Sequence, residues 1–235
     1  KVPCRATRCE GATVEAAYWR QKWAEEKIGF HQSEVNKRLE ARWAALDAPA
    51  GCPVFVPLCG KSLDMLWLHR QGHPVLGVEL SEKAVSDFFA ENALPVEREA
   101  HGAFALWRGT GEASGIRLLV GDFFALEPAD LDGVGAFYDR ASLIAMDDAF
   151  RERYARHLGA IVPGGVPGLL LTIDYDPARM QGPPFPVPDA LTRKLLGEDF
   201  DIDELAHYSG PERLGNLAGR GLETLDEHVY RLRRR

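Results

Sequence analysis

The chain has 235 residues, a hydrophobic fraction of 46% and a formal net charge of −7. This size and composition suit one large globular domain and exclude a largely disordered chain. The acidic balance disfavours nucleic acid, the four cysteines form no C-x-x-C pair, and no apolar run reaches the roughly 18 residues of a membrane-spanning helix. We therefore expect a cytoplasmic protein that binds no metal, nucleic acid or membrane.

The beginning of the chain divides into an extension and a helix. Residues 1–13 are predicted to be a loose N-terminal extension, and a single domain is predicted over residues 14–235. The helix that follows places Trp19 and Trp23 on one face, because they are four residues apart. Aromatic stripes of this kind usually pack in a core. Together with Phe30, however, they could instead cover a cationic or aromatic ligand.

Five apolar runs, separated by helical patterns, are predicted to be strands. Unbroken apolar runs are typical of strands that are covered on both faces, as in a parallel sheet. Their alternation with helices predicts right-handed crossovers and a doubly wound α/β sheet. The predicted strands are Pro53–Leu58, Val75–Leu80, Ile116–Val120, Val134–Tyr138 and Gly168–Asp174.

Capping residues and prolines mark the other boundaries. Ser81 is predicted to cap one helix, and Asp147 or Asp148 another. The proline-rich segment 182–188 is predicted to be a rigid loop beside the carboxyl ends of the strands, followed by a helix capped by Asp189. The apolar residues of the closing segment Glu223–Arg233 follow a two-residue period only in part.

The first two strands end in residues that suit a nucleoside. Gly60 lets the backbone turn and approach a ligand closely, and Glu79 follows 19 residues later at the end of the next strand. An acidic residue at this spacing can accept hydrogen bonds from both ribose hydroxyls, although it could also be a surface charge. Two of the three glycines of a dinucleotide fingerprint are absent. Phe55 stands where a P-loop needs glycine, so we exclude both of those sites.

Polar residues also follow the third and fourth strands. Asp122 could bind an adenine amino group while Phe123 covers the ring, or it could cap a helix. Arg140 could bind a carboxylate or a thiolate, or it could form a structural ion pair with Asp139. The residues alone leave both alternatives open.

Several motifs resemble those of the thiopurine S-methyltransferase family, especially its bacterial branch. The resemblance runs from about Tyr18 to Leu232, and PLCGKS and GFHQ are its most specific motifs. The residues that carry it are Trp19-x-x-x-Trp23, Ile28-Gly29-Phe30-His31-Gln32, Pro57-Leu58-Cys59-Gly60-Lys61-Ser62, Gly72-His73, Gly77-Val78-Glu79-Leu80-Ser81, Tyr138-Asp139-Arg140 and Gly182-Pro183-Pro184-Phe185.

The resemblance implies a Rossmann-like class I methyltransferase fold with a seven-stranded, mostly parallel sheet whose last strand is antiparallel. It implies S-adenosylmethionine (SAM) as cofactor, S-adenosylhomocysteine (SAH) as product and a monomer. It also implies a second substrate-side arginine late in the chain, for which Arg213 and Arg220 are candidates. The implied cofactor-binding residues are Trp19, Trp23, Phe30, Leu58, Gly60, Glu79, Leu80, Asp122, Phe123 and Arg140, and the implied acceptor-side residues are Phe30, Arg140, Pro183 and Pro184.

The predicted reaction is methyl transfer from SAM to aromatic or heterocyclic thiols of the thiopurine type, with Arg140 as the catalytic residue. One alternative is methylation of inorganic selenium or tellurium oxyanions, or of halide, with the same fold and cofactor. An alternative of another class is a module that binds SAM without turnover.

Overall fold

The structure is a computed structural model and describes residues 10–235, with side chains from residue 16 onward. Residues 1–9 of the predicted extension lie outside the described residues. Residues 10–13 begin the first helix. The α-helices are α1 (Glu10–Ala24), α2 (Lys37–Arg42), α3 (Asp64–Arg70), α4 (Glu82–Glu91), α5 (Asp148–Ile161) and α6 (Asp189–Leu196).

A single sheet of nine strands, in the order β3-β4-β5-β2-β1-β6-β7-β9-β8, runs through the described part of the chain. The strands β5, β2, β1, β6 and β7 at its centre are parallel, and antiparallel strands continue it on both sides. The strands are β1 (Val54–Val56), β2 (Val75–Glu79), β3 (Val96–His101), β4 (Phe104–Gly109), β5 (Ile116–Val120), β6 (Ala136–Arg140), β7 (Pro167–Asp174), β8 (Phe200–Gly210) and β9 (Leu225–Arg234).

The predicted fold class is confirmed, and the last strand, β9, is antiparallel to β7 as expected. The predicted count of seven strands is wrong, since the sheet has nine. The strands β3, β4 and β8 were not predicted from the sequence. Apart from half-buried Val96, every residue of β3 is exposed. In β8 only Phe200 is buried and the other residues are half-buried or exposed, so neither strand shows the apolar run of a buried strand.

The core forms two layers because helices cover both faces of the central strands. Every residue of β1 and β2 is buried, and neighbouring side chains of a strand alternate between the two layers. Phe55 packs in the layer that contains Phe137 and Tyr154, whereas Val54 and Val56 pack in the opposite layer. Among residues 10–235, no helix combines the length and apolarity needed to span a lipid bilayer.

Two predicted helix caps are confirmed and one is wrong. Ser81 Oγ accepts a hydrogen bond from Ala84 N, and Asp147 caps α5 in the same way. Asp189 does not cap α6, because it is already the first helical residue and Pro188 occupies the capping position. Proline has no side-chain acceptor for this role, but its fixed φ suits a helix start.

Candidate active site

A cleft opens at the carboxyl ends of β1, β2 and β5, where parallel strands bring their following loops together. The helix α1 contributes two side chains to its wall, and the loop after β5 contributes several more. The cleft is lined by Ala16, Trp19, Leu58, Val78, Glu79, Leu80, Gly121, Asp122, Phe123, Phe124, Met146 and Phe150. This edge of a doubly wound sheet is where such folds bind ligands.

Glu79 ends β2 and is not a surface charge, since only 7% of the residue is exposed. Its Oε2 accepts a hydrogen bond from Gly60 N at 2.9 Å, and its Oε1 accepts one from Ser81 N at 2.8 Å. Burial raises the pKa of Glu79, and the backbone N–H groups of Ser81, Gly60 and Leu80 oppose that shift. The carboxylate is therefore fixed between two loops while it lines the cleft.

Gly60 has a φ of +53°, which favours glycine, and lies directly under an indole. A Cβ built at this position would approach Trp23 Cζ2 to 3.2 Å. Trp23 is only 4% exposed, so it packs in the interior. Both Trp23 and Trp19, which lines the cleft, contact Phe30 edge-on, with ring centroids 5.5 and 5.6 Å apart. The three aromatic side chains form one continuous cover.

The loop after β5 supplies the opposite wall. Asp122 Oδ1 accepts a hydrogen bond from Phe124 N at 3.0 Å, so Asp122 caps a short turn and lines the cleft as well. Phe123 is buried and stacks on Tyr154, with ring centroids 4.8 Å apart. Leu80 lies on the same wall as Glu79. Leu80, Phe123 and Asp122 therefore give the cleft an apolar lining with a carboxylate beside it.

Arg140 ends β6 but is not paired with the neighbouring Asp139. Its Nε donates to Asp64 Oδ2 at 2.7 Å, and its Nη2 donates to Ser62 Oγ at 2.9 Å. The hydroxyl of Tyr138 donates to the same carboxylate oxygen at 2.9 Å. Ser62 follows Gly60 by two residues, so Arg140 lies against the loop that borders the cleft without being part of its lining.

Asp139 points to the other side of β6 and is buried. Its Oδ2 accepts a hydrogen bond from Tyr154 OH at 2.7 Å, and burial raises its pKa to about 6. The hydrogen bond from Tyr154 opposes this shift. Tyr154 in turn stacks on Phe123, so Asp139 supports the wall of the cleft from behind.

Two cationic side chains influence His31, which follows Phe30. Burial lowers the pKa of His31, and the charges of Lys61 and Arg140 lower it further. Lys61 is itself buried and donates to Glu91 Oε1 at 2.7 Å. Both cations are paired with carboxylates, Lys61 with Glu91 and Arg140 with Asp64, and the charges of these carboxylates oppose the lowering of the His31 pKa.

Pro183 and Pro184 lie outside the lining of the cleft. Tyr175 OH donates to Pro184 O at 2.6 Å, and the guanidinium of Arg220 lies 3.4 Å from Pro183 O. Arg213 lies elsewhere, over the ring of Tyr208 at 5.6 Å. Of the two late arginines, Arg220 is therefore the one beside the proline-rich loop.

The structure brings most of the sequence-predicted residues together around the cleft. Trp19, Leu58, Glu79, Leu80, Asp122 and Phe123 line it, and Gly60, Trp23 and Phe30 border it. Sequence reasoning missed the lining residues Ala16, Val78, Gly121, Phe124, Met146 and Phe150. It also missed Asp64, the partner of Arg140, because nothing in the sequence connects an aspartate on α3 with an arginine 76 residues later.

Comparison with known proteins gives a consistent result. The family model "Thiopurine S-methyltransferase (TPMT)" matches residues 14–235. Thiopurine S-methyltransferases from Azotobacter vinelandii and Pseudomonas paraeruginosa are 47% and 49% identical to this chain. The matches cover 93% and 94% of the chain and 98% and 100% of the relatives.

Solved structures show the same fold at low sequence identity. The 1,6-didemethyltoxoflavin-N1-methyltransferase of Burkholderia thailandensis, solved with bound 1,6-didemethyltoxoflavin and SAH, gives a TM-score of 0.61 at 16% identity. The match covers 100% of this chain and 92% of that chain. A SAM-dependent methyltransferase from Anabaena variabilis gives 0.61 at 15% identity, with coverages of 94% and 95%.

Proposed function

Because the chain belongs to the thiopurine S-methyltransferase family and is therefore a SAM-dependent methyltransferase acting on a small molecule, we propose that its acceptor is the sulfur of an aromatic or heterocyclic thiol. The observation that carries this acceptor class is Arg140, whose guanidinium is held by Ser62, two residues after Gly60. Its charge also acts on His31, which follows Phe30 of the aromatic cover. A cation and aromatic faces together suit an aryl thiolate.

The residues of the cleft fit SAM. Each oxygen of Glu79 accepts one backbone hydrogen bond, and a carboxylate has about four acceptor positions, so two remain for the ribose hydroxyls. Leu80 and Phe123 offer an apolar surface to the adenine, with Asp122 at its edge. Gly60 has no side chain to obstruct the methionine portion, and we propose that Leu58, which lines the cleft, also borders it. When bound, SAM supplies a methyl group on a positively charged sulfur.

Arg140 is the proposed catalytic residue. A guanidinium has five N–H groups, and the contacts with Asp64 and Ser62 use one on Nε and one on Nη2. The N–H groups that remain lie at the terminal fork and can bind a thiolate or a carboxylate. Because the thiolate is the reactive form of a thiol, a fixed positive charge favours the reactive state by lowering the pKa of the bound acceptor.

The aromatic cover is proposed to hold the acceptor in line with the methyl group. Methyl transfer requires the sulfur to approach the methyl carbon to about 3–3.5 Å at the correct angle. Phe30 is 42% exposed, so its ring is available to an acceptor on that side of the cover. Pro183 and Pro184 form the proposed rim of the acceptor pocket. Acidic heterocyclic thiols ionise near neutral pH, so their ionisation needs no dedicated base.

A methyl-transfer assay over a panel of acceptors tests this proposal. Aryl thiols and thiopurines should be methylated with higher kcat/KM than selenite, tellurite or iodide. The reverse order would support the alternative acceptor class of chalcogen oxyanions or halide. In the same assay, Arg140→Ala should lower kcat/KM for the thiols. Arg231→Ala is the matched control, because Arg231 pairs with Asp203 on the outer strands, away from the cleft.

We further propose that the protein is a cytoplasmic monomer that binds neither nucleic acid nor membrane. The net charge of −7 disfavours binding to nucleic acid, and the free thiols of Cys52 and Cys59 suit the reducing cytoplasm. Light scattering after gel filtration should give the mass of one chain, 26.0 kDa. A mass of two or more chains would refute the monomer.

A further inference from the structure

The carboxylate of Asp64 has no role in the reaction as described so far, although it is only 1% exposed and lies at the start of α3. Its Oδ2 accepts hydrogen bonds from Arg140 Nε and Tyr138 OH, at 2.7 and 2.9 Å. Its Oδ1 accepts one from Asn36 N at 2.8 Å. A buried carboxylate is costly unless it is paired and hydrogen-bonded, and here both oxygens are satisfied by specific donors.

The contacts of Arg140 fix its orientation. A planar guanidinium that is bound at both Nε and Nη2 cannot rotate about its terminal bonds without losing a contact. We propose that Asp64 is a positioning residue, which together with Ser62 holds Arg140 so that its terminal fork faces the acceptor sulfur. This inference rests on the proposed function, because it assumes that Arg140 binds the thiolate.

The third contact of Asp64 links Arg140 to the aromatic cover. Asn36 caps α2 and follows the segment 28–32, which carries Phe30 and His31. The backbone N–H of Asn36 is held by Oδ1, while Arg140 is held by Oδ2 of the same carboxylate. Asp64 thereby sets the position of the guanidinium relative to the chain that enters from the cover.

The geometry requires a carboxylate rather than an amide. Asp64→Asn would replace one acceptor oxygen with an NH₂ donor. Either Arg140 Nε or Asn36 N would then face a donor, so one of the two contacts would be lost. Asp64→Glu keeps both acceptor oxygens and the charge, and we expect it to recover part of the activity that Asp64→Asn loses.

The test uses the full chain with SAM and 4-nitrothiophenol, whose thiolate is coloured. Asp64→Asn should lower kcat/KM by about 10- to 100-fold, the loss expected when a catalytic group is misplaced by about 1 Å. In the complex with SAH, the Kd of 4-nitrothiophenol should rise, and its bound-state pKa should move closer to the free value. Asp203→Asn is the control, because it alters an exposed pair between Asp203 on β8 and Arg231 on β9.

A double-mutant cycle separates positioning from general stabilisation. If Asp64 acts through Arg140, then Asp64→Asn combined with Arg140→Ala should lose no more activity than Arg140→Ala alone. The inference would be overturned if the fold-loss in kcat/KM of the double mutant equals the product of the losses in the two single mutants. It would also be overturned if Asp64→Asn has the same kcat/KM as the wild type. If Asp64→Asn does not fold, Ser62→Ala carries the test. It removes the contact with Nη2 and the hydrogen bond that Ser62 Oγ accepts from Asp64 N, and it should lower kcat/KM at a temperature where the variant is still fully folded.

The outcomes distinguish this inference from the function on which it rests. A wild-type protein without transfer to any thiol of the panel would overturn both. A wild-type protein that methylates 4-nitrothiophenol, beside an Arg140→Ala variant of equal kcat/KM, would remove the proposed role of Arg140 and hence that of Asp64. If Arg140→Ala lowers kcat/KM but Asp64→Asn does not, the proposed function stands and only the positioning role of Asp64 is overturned.

Discussion

Replacing Glu79 with alanine tests the arrangement of the cleft most directly. The carboxylate has two roles, since it bonds the backbone N–H groups of Gly60 and Ser81 and is proposed to accept both ribose hydroxyls. Glu79→Ala removes all of these hydrogen bonds at once. We therefore expect a large loss of affinity for SAH and a smaller loss of stability.

The magnitudes follow from the charge of the acceptor. A hydrogen bond to a charged group contributes about 1.5–3 kcal/mol, so the loss of two ribose contacts should cost about 3–6 kcal/mol of binding free energy. That corresponds to a rise in Kd of roughly 10²- to 10⁴-fold. The two backbone N–H groups lose their partner, but they border an open cleft that water can enter. The free energy of unfolding should therefore fall by only about 1–3 kcal/mol.

Isothermal titration calorimetry with SAH measures the affinity, and urea denaturation measures the stability. Glu99→Ala, an exposed substitution on β3, is the control and should change neither. Glu79→Gln keeps the size of the side chain and one acceptor oxygen, so we expect an intermediate Kd. A folded Glu79→Ala protein that binds SAH with wild-type affinity would refute the ribose assignment.

Three further predictions concern the neighbouring residues. Arg140→Ala should lower kcat/KM for aryl thiolates by about 10²- to 10³-fold and raise the Kd for SAH by less; equal losses in the two assays would indicate a purely structural role. Gly60→Ala strains a positive φ, at roughly 1–2 kcal/mol, and displaces Trp23, so calorimetry should show weaker SAH binding. Gly72 also has a positive φ, but nothing lies within 4 Å of an added methyl, so Gly72→Ala should lose stability and keep its affinity for SAH. Burial raises the pKa of Asp139 to about 6 from its ordinary 3.8, so the folded state holds the proton more tightly and the wild type loses stability as the pH rises between these values. As the pH rises from about 4 to about 7.5, the free energy of unfolding of Asp139→Asn should increase by about 2–3 kcal/mol relative to that of the wild type. Free energies from urea denaturation that change equally with pH in both proteins would contradict this.

The central sheet was predictable because its strands are buried on both faces. Such strands need apolar residues at every position, and β1, β2 and β5 follow that rule closely enough to be located within a few residues. The outer strands β3 and β8 have no such requirement, since β3 is almost entirely exposed and only Phe200 of β8 is buried. They become strands by pairing with β4 and β9, and the pattern of residues within β3 or β8 does not reveal this pairing.

The candidate site could likewise be predicted only in part from the sequence. Glu79 could be predicted because a strand end and its spacing from a glycine turn are both local features of the chain. Arg140 could be recognised as a residue of interest, but its partner could not, since Asp64 meets it only after β1 and β6 have paired. The apolar lining residues Met146 and Phe150 carry no distinguishing signal, because the same residue types fill any core.

The exposed ring of Phe30 has a thermodynamic consequence for acceptor choice. An aromatic side chain buries roughly 150–250 Å² when fully covered, so the 42% that remains open amounts to about 80 Å² of apolar surface in contact with water. Covering it would contribute about 2 kcal/mol, or roughly a 30-fold gain in affinity. A flat organic guest can collect this hydrophobic gain, whereas a small hydrated oxyanion cannot. In the proposed function, the uncovered phenyl face would therefore favour ring-bearing acceptors through hydrophobic burial, in addition to the effect of charge.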